Sequence, residues 1–174
     1  LIPFTVSNFR SFHEEQTLSM VATAGRARTH PENFIAPDAV GSAKFRLLKT
    51  AAIYGANASG KSNLVKAFQA MRRFVLESAT RMNEGDPVRC AAPFRLASAS
   101  KTKPSTFEIT VIIAQVRCVY GFSVTSQRVE EEQLVVYPAA TSKGQCWFHR
   151  KFDASTGKHQ WEFSGPLETS GKAL

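Results

Sequence analysis

Four residues at fixed intervals carry the chemistry: Gly55, Gly60, Lys61 and Ser62, in the order G-x-x-x-x-G-K-S. This is the phosphate-binding loop pattern, and each residue type has a physical task in it. The glycines let the backbone curl until successive N–H groups point inward at phosphate oxygens. Lys61 would reach the β- and γ-phosphates as a point charge, and the Ser62 hydroxyl would help to hold Mg²⁺. A helix beginning at about Gly60 aims its positive end at the same anion. The nucleotide-binding candidates are therefore Gly55, Ala56, Asn57, Ala58, Ser59, Gly60, Lys61, Ser62 and Asn63. Lys61 and Ser62 are the catalytic candidates, and Ser62 is the metal candidate.

The motif is expected between a strand and a helix. Ala51-Ala52-Ile53-Tyr54 is a short apolar run suited to a buried strand. After the loop, Leu64, Ala67, Phe68, Met71, Phe74 and Val75 recur at helical spacing. The helix should end before Asn83-Glu84-Gly85-Asp86-Pro87, a cluster of turn formers. Beyond it the apolar period changes from 3.6 to 2. Residues 107–113 and 116–124 alternate as two strands joined at Ala114-Gln115, a turn without the usual glycine or asparagine. Further strands are expected at 133–137, 145–150 and 160–163, with a turn at Ser155-Thr156-Gly157-Lys158. The amino end reads as a hairpin, with Ile2, Phe4 and Val6 in one strand and residues 17–20 in the other. Residues 22–44 read as a long loop in which Arg26, Arg28 and His30 could visit a ligand.

A chain of 174 residues is most simply one domain, and it contains no apolar run of about 18 residues, the length of a membrane span. With no basic-then-apolar leader pattern, a cytoplasmic protein without membrane contact is expected. Cys90, Cys118 and Cys146 are odd in number and widely spaced, and read as reduced, mostly buried thiols. The chain starts at Leu1, so the expectation is a piece of a longer protein or a product part of which is absent. Net charge is +8, with the excess concentrated between Lys61 and Lys103. That stretch would favour a polyanion such as DNA, or it is a solvated surface; charge alone does not decide.

Asn8-Phe9-Arg10-Ser11-Phe12, followed by Ile53-Tyr54-Gly55-Ala56-Asn57-Ala58-Ser59-Gly60-Lys61-Ser62-Asn63, resembles the start of an ABC-type ATPase head of the SMC and RecF class. Asn57 and Asn63 are typical of that group. Within it, the chain is most similar to bacterial AAA-type, ABC-like ATPases related to the OLD-family and to retron- and abortive-infection-associated proteins. Pro93-Phe94-Arg95-Leu96, residues 105–109, Tyr120-Gly121-Phe122, Glu132-Gln133-Leu134 and residues 147–150 resemble the later pieces in order. The resemblance runs from about Phe4 to about Arg150. It implies an α/β P-loop NTPase fold. Residues 1–174 would be the amino-terminal lobe of an ABC-type head, with one Walker A βα unit and a largely antiparallel sheet. It implies ATP and Mg²⁺ as cofactors, Arg10 and Ser11 beside the nucleotide, and homo-oligomerisation through ATPase heads. An effector partner, nuclease or toxin, belongs to the same expectation, as does a role in antiviral defence.

The chain departs from that pattern downstream of the loop. Val111-Ile112-Ile113-Ala114 and Leu134-Val135-Val136-Tyr137 are followed by Gln115 and Pro138, not by the Asp-Glu pair of a Walker B strand. No L-S-x-G signature is present, and Gln115 and Gln127 are weak candidates for the Q-loop. Glu130-Glu131-Glu132 reads as a solvated turn, and His149 and His159 as ordinary strand residues. Phosphate binding needs only the loop, whereas hydrolysis needs a positioned water and a residue to orient it. The expectation is an ATPase whose isolated segment binds ATP weakly and turns it over poorly. The alternatives are a non-catalytic nucleotide-sensing scaffold that holds an effector, and a nucleic-acid-binding module. Small P-loop kinases and GTPases fit least, since antiparallel strands follow the first helix and no N-K-x-D occurs.

Overall fold

Alternating apolar and polar residues across the second half of the chain build a seven-stranded antiparallel sheet, and the one long amphipathic run builds the helix that covers it. The computed structural model describes residues 1–23, 30–35, 46–78, 80, 86–138 and 143–168. The sheet contains β1 (Pro3–Ser7), β2 (Gln16–Ser19), β5 (Ser105–Ile113), β6 (Val116–Val124), β7 (Val129–Tyr137), β8 (Gln145–Asp153) and β9 (Lys158–Phe163), in the order β2-β1-β5-β6-β7-β8-β9. A separate two-stranded ladder pairs β3 (Phe34–Ile35) with β4 (Leu47–Leu48). The helix α1 spans Lys61–Glu77.

The amino-terminal hairpin forms as expected, with Phe4 opposite Leu18. It enters the main sheet by pairing β1 with β5, Phe4 opposite Ile109. The core lies between α1 and the sheet. Ala67, Met71 and Phe74 of α1 are buried against Phe4, Val6, Phe107, Phe122 and Val124. Phe4 stacks on Phe68 with ring centroids 3.9 Å apart, and Phe74 on Phe122 at 4.0 Å. Such pairs add about 0.5–1.5 kcal/mol each beyond the area they bury.

The β5–β6 turn closes at Ala114-Gln115 with φ of 48° and 65°. Both residues are left-handed, which matches the twist of a hairpin with a two-residue loop. Sheet pairing imposes a geometry that neither residue prefers.

Four expectations are corrected. Ala51-Ala52-Ile53-Tyr54 is not a buried strand: all four residues are exposed, Tyr54 at 90%, and no described strand runs beside them. A strand exists only where a neighbour takes its N–H and C=O groups, so apolar composition alone does not make one. Glu130-Glu131-Glu132 is not a turn but part of β7. Register places Glu132 between Phe122 and Arg150, on the face that carries the core. The thiols are free, but only Cys90 is buried; Cys118 is half-buried and Cys146 exposed. Residues 22–44 also contain more structure than a loop, since Phe34–Ile35 pairs with Leu47–Leu48. Arg26, Arg28, Arg81 and the turn formers Asn83-Glu84-Gly85 lie outside the described residues.

Candidate functional site

Gly60 is the residue before α1 and has φ 94°, ψ 1°, a conformation that L side chains rarely adopt. Ala58, two residues earlier, is also left-handed at φ 64°. Together they turn the chain from residue 57 into the helix. Two backbone bonds to the Gly60 carbonyl, from Asn63 N–H at 2.8 Å and Leu64 N–H at 3.2 Å, start the first turn. Among the described residues, the N–H groups of Gly60, Lys61 and Ser62 donate to no backbone carbonyl. These are the orphan donors of a helix start, and with the helix dipole they favour an anion.

Lys61 folds back across the loop. Its Nζ donates to the Gly55 carbonyl at 2.7 Å and the Ala56 carbonyl at 2.6 Å. The Ser59 hydroxyl lies 3.5 Å from the same nitrogen. Gly55 leaves this closure open: a Cβ there would stand 2.9 Å from Ser59 Oγ, which would have to rotate away, and 3.9 Å from Lys61 Cδ. The loop thus forms a ring of backbone closed by an ammonium group. Ser62 is exposed beside it, Asn57 is exposed in the loop, and Asn63 is half-buried. An ammonium group, unbonded helix-start N–H groups and a serine hydroxyl fit the phosphates of a nucleotide with Mg²⁺.

Ser11, singled out far away in sequence, stands against this loop. Asn63 Nδ2 donates to Ser11 Oγ at 2.8 Å. A Cβ on Gly60 would meet that Oγ at 2.9 Å and the Phe12 ring at 3.5 Å. The turn that carries Ser11 includes two left-handed non-glycine residues, Asn8 at φ 46° and Arg10 at φ 52°. Arg10 is exposed, with its guanidinium 5.6 Å from the centre of the Phe9 ring and its N–H bonded to the Ala92 carbonyl. No described contact joins its side chain to the loop.

The carboxylates of β7 are engaged elsewhere. Glu132 accepts from the Tyr120 hydroxyl at 2.6 Å and pairs with Arg150 Nη2 at 2.6 Å. Burial, and then the Glu132 charge, push the Tyr120 phenol well above its ordinary range. Glu131 pairs with His149 at 2.8 Å and Glu130 with Arg128 at 3.0 Å. His159 is bonded to the Val129 carbonyl at 2.8 Å. Gln115 occupies the β5–β6 turn, and Gln127 the turn before β7. A cavity of about 330 Å³ between Arg73, Phe74, Glu77 and Cys90 adjoins the carboxyl end of α1, a helix length from the loop. Among the described residues no group of His, Cys, Asp or Glu could hold a metal ion without further ligands. No helix among them is long and apolar enough to cross a membrane.

Sequence reasoning found the loop but missed the polar network of Tyr120, Glu132 and Arg150. Its signal was available only through register, since residues 120, 132 and 150 meet when β6, β7 and β8 pair. It also missed what Asn8 does.

Comparison with known families matches residues 51–153 to the one described as "AAA domain, putative AbiEii toxin, Type IV TA system". The match begins just before the phosphate loop and ends with β8. No curated protein and no solved structure matches the chain.

Proposed function

The chain belongs to this AAA domain family, and from that premise we propose that it forms the ATP-binding lobe of an ATPase. Gly55, Gly60, Lys61 and Ser62 would hold the phosphates and Mg²⁺. The observation that carries this reading is the position of Lys61 Nζ, 2.7 and 2.6 Å from the carbonyls of Gly55 and Ala56. A cation closing a glycine loop at a helix start is poised to exchange two carbonyl partners for phosphate oxygens, which form the stronger, charge-assisted bonds.

The chain's own residues would supply three things. Lys61 would neutralise charge on the β- and γ-phosphates. The N–H groups of residues 60–62 would orient those phosphates along the α1 axis. Ser62 would give one oxygen to Mg²⁺, whose bound charge would further offset that of the phosphates. Orientation of the attacking water needs a further residue, and the three carboxylates of β7 are engaged elsewhere, Glu130 with Arg128, Glu131 with His149 and Glu132 with Arg150. Hydrolysis on this reading needs a group that the described residues do not place at the loop. The ABC-type head, with residues 1–174 as its amino-terminal lobe, supplies such a group when two heads close on ATP. That closure would gate an effector, nuclease or toxin, or an activity on DNA, in antiviral defence of the OLD and retron kind. The family's toxin–antitoxin description supports the direction of this reading.

The engaged carboxylates favour one second reading: a nucleotide-sensing scaffold in which ATP orders an assembly without turnover. Phosphate release and sedimentation of the full-length protein, with ATP and Mg²⁺, separate the two. Turnover that accompanies ATP-dependent association, both lost in Lys61→Ala, supports the ATPase. Association with ATP but no phosphate release supports the scaffold, and neither response overturns both.

A further inference from the structure

Asn8 does not touch the loop, yet its contacts shape the loop's surroundings. Asn8 is 6% exposed and left-handed, and every polar group of its side chain is used. Its Nδ2 donates to the carbonyls of Ser100 and Lys103, both at 2.9 Å, and is 3.2 Å from that of Pro104. Its Oδ1 accepts from Phe94 N–H at 3.0 Å. Its own carbonyl accepts from the buried Ser105 hydroxyl at 2.7 Å. One side chain therefore ties both ends of the 94–104 segment to the turn after β1.

The same turn presses on the helix start. Phe9 and Phe12 exchange backbone hydrogen bonds at 2.9 and 2.8 Å, which makes residues 9–12 a closed unit. Ser11, inside that unit, receives the Asn63 side chain and packs on Gly60. Arg10 N–H, on the other side, holds the Ala92 carbonyl at 2.7 Å. Contacts are thus continuous from Gly60 and Asn63, through Ser11 and Asn8, to Phe94. They end at a corner where Leu96 is 90% exposed beside the exposed Arg95.

We propose that the turn of residues 8–12, locked by Asn8, couples occupancy of the phosphate loop to the 92–104 segment and its exposed Arg95–Leu96 corner. The element with two arrangements is the Lys61 side chain. Its ammonium lies on the loop carbonyls in this structure and would leave them for phosphate, freeing the 55–60 backbone to reset against Ser11. Asn8 is then a positioning residue, acting through Ser11 and Asn63. By linkage, whatever binds the corner changes phosphate affinity by the factor by which phosphate changes corner binding. The proposal rests on the nucleotide reading above.

The test is amide hydrogen exchange of the full-length protein with and without ATP and Mg²⁺, with nucleotide binding measured on the same samples. Exchange at Phe94 and across residues 92–104 is expected to change by at least about fivefold on saturation, the lower end of ordinary couplings. Asn8→Asp keeps the acceptor for Phe94 N–H but loses the donor to three carbonyls. It is expected to bind ATP more weakly and to lose the response at 92–104 while the exchange of β7 and β8 stays as in the unaltered protein. Should Asn8→Asp fail to fold, the unaltered protein alone decides. ATP binding with unchanged exchange at 92–104 overturns the coupling and leaves the nucleotide reading intact. No saturable ATP binding overturns both.

Discussion

Substituting Gly60 by alanine should be more damaging than its place at a helix start suggests. Two costs combine. With φ of 94°, the residue is in a region where an L side chain costs about 1–2 kcal/mol. Its new Cβ would also stand 2.9 Å from Ser11 Oγ, so Ser11 must move and the 2.8 Å bond from Asn63 is lost. That bond is worth about 1 kcal/mol net. The expected loss is about 2–3 kcal/mol, or roughly 5–10 °C in melting temperature for a chain of this size. Gly157 supplies the control, because it too has a positive φ, 70°, but a Cβ there meets nothing within 4 Å. Gly157→Ala should cost about 1 kcal/mol, from backbone strain alone. Urea denaturation of the two variants and of Gly60→Ala/Ser11→Ala measures the difference. Equal losses for Gly60→Ala and Gly157→Ala would refute the close packing of Ser11 on the loop.

Other consequences can be checked on the same protein. Replacing Ala114-Gln115 by Asn-Gly should stabilise it by about 1 kcal/mol, because both positions are left-handed and that pair suits a two-residue hairpin turn; a lowered denaturation midpoint would contradict this. Glu132→Leu strands the Arg150 guanidinium and should cost about 3 kcal/mol, whereas adding Arg150→Met should restore most of it. The thiols should react with a disulfide reagent in the order Cys146, Cys118, Cys90, the order of their exposure. Burial pushes the Cys90 thiol up to about 12, from an ordinary value of 9.0. Between those values the folded chain keeps a proton that the unfolded chain loses. The Cys90 contribution is therefore complete below pH 9.0 and falls as pH rises toward 12, by at most about 1.4 kcal/mol per unit. Denaturation at pH 8 and at pH 10.5, against Cys90→Ala, reads that slope; parallel profiles would sink the assignment.

The elements with strong local periodicity were legible. Alternation at 107–113 and 116–124 and the 3.6 spacing of Ala67, Met71 and Phe74 both found their elements, because side-chain burial on one face is what those patterns encode. What escaped was set by partners distant in sequence. Ala51-Ala52-Ile53-Tyr54 has the composition of a strand but no strand beside it. Glu130-Glu131-Glu132 has the composition of a turn but is drawn into β7 by pairing, where Arg150 and Tyr120 neutralise and satisfy Glu132. At the candidate site, Gly55, Gly60 and Lys61 were legible because their spacing is itself the geometry. Asn8 was not, since its value lies in four partners about 90 residues away that only the fold brings near.

The central claim is that Lys61 and the loop around it bind nucleotide phosphates. Calorimetric titration of the full-length protein with ATP and Mg²⁺, beside Lys61→Ala, tests it most directly. The account predicts saturable binding that the substitution weakens by at least tenfold, because a charge-assisted bond to phosphate contributes about 1.5–3 kcal/mol. Equal affinity in the two proteins, or no binding by either, would contradict it.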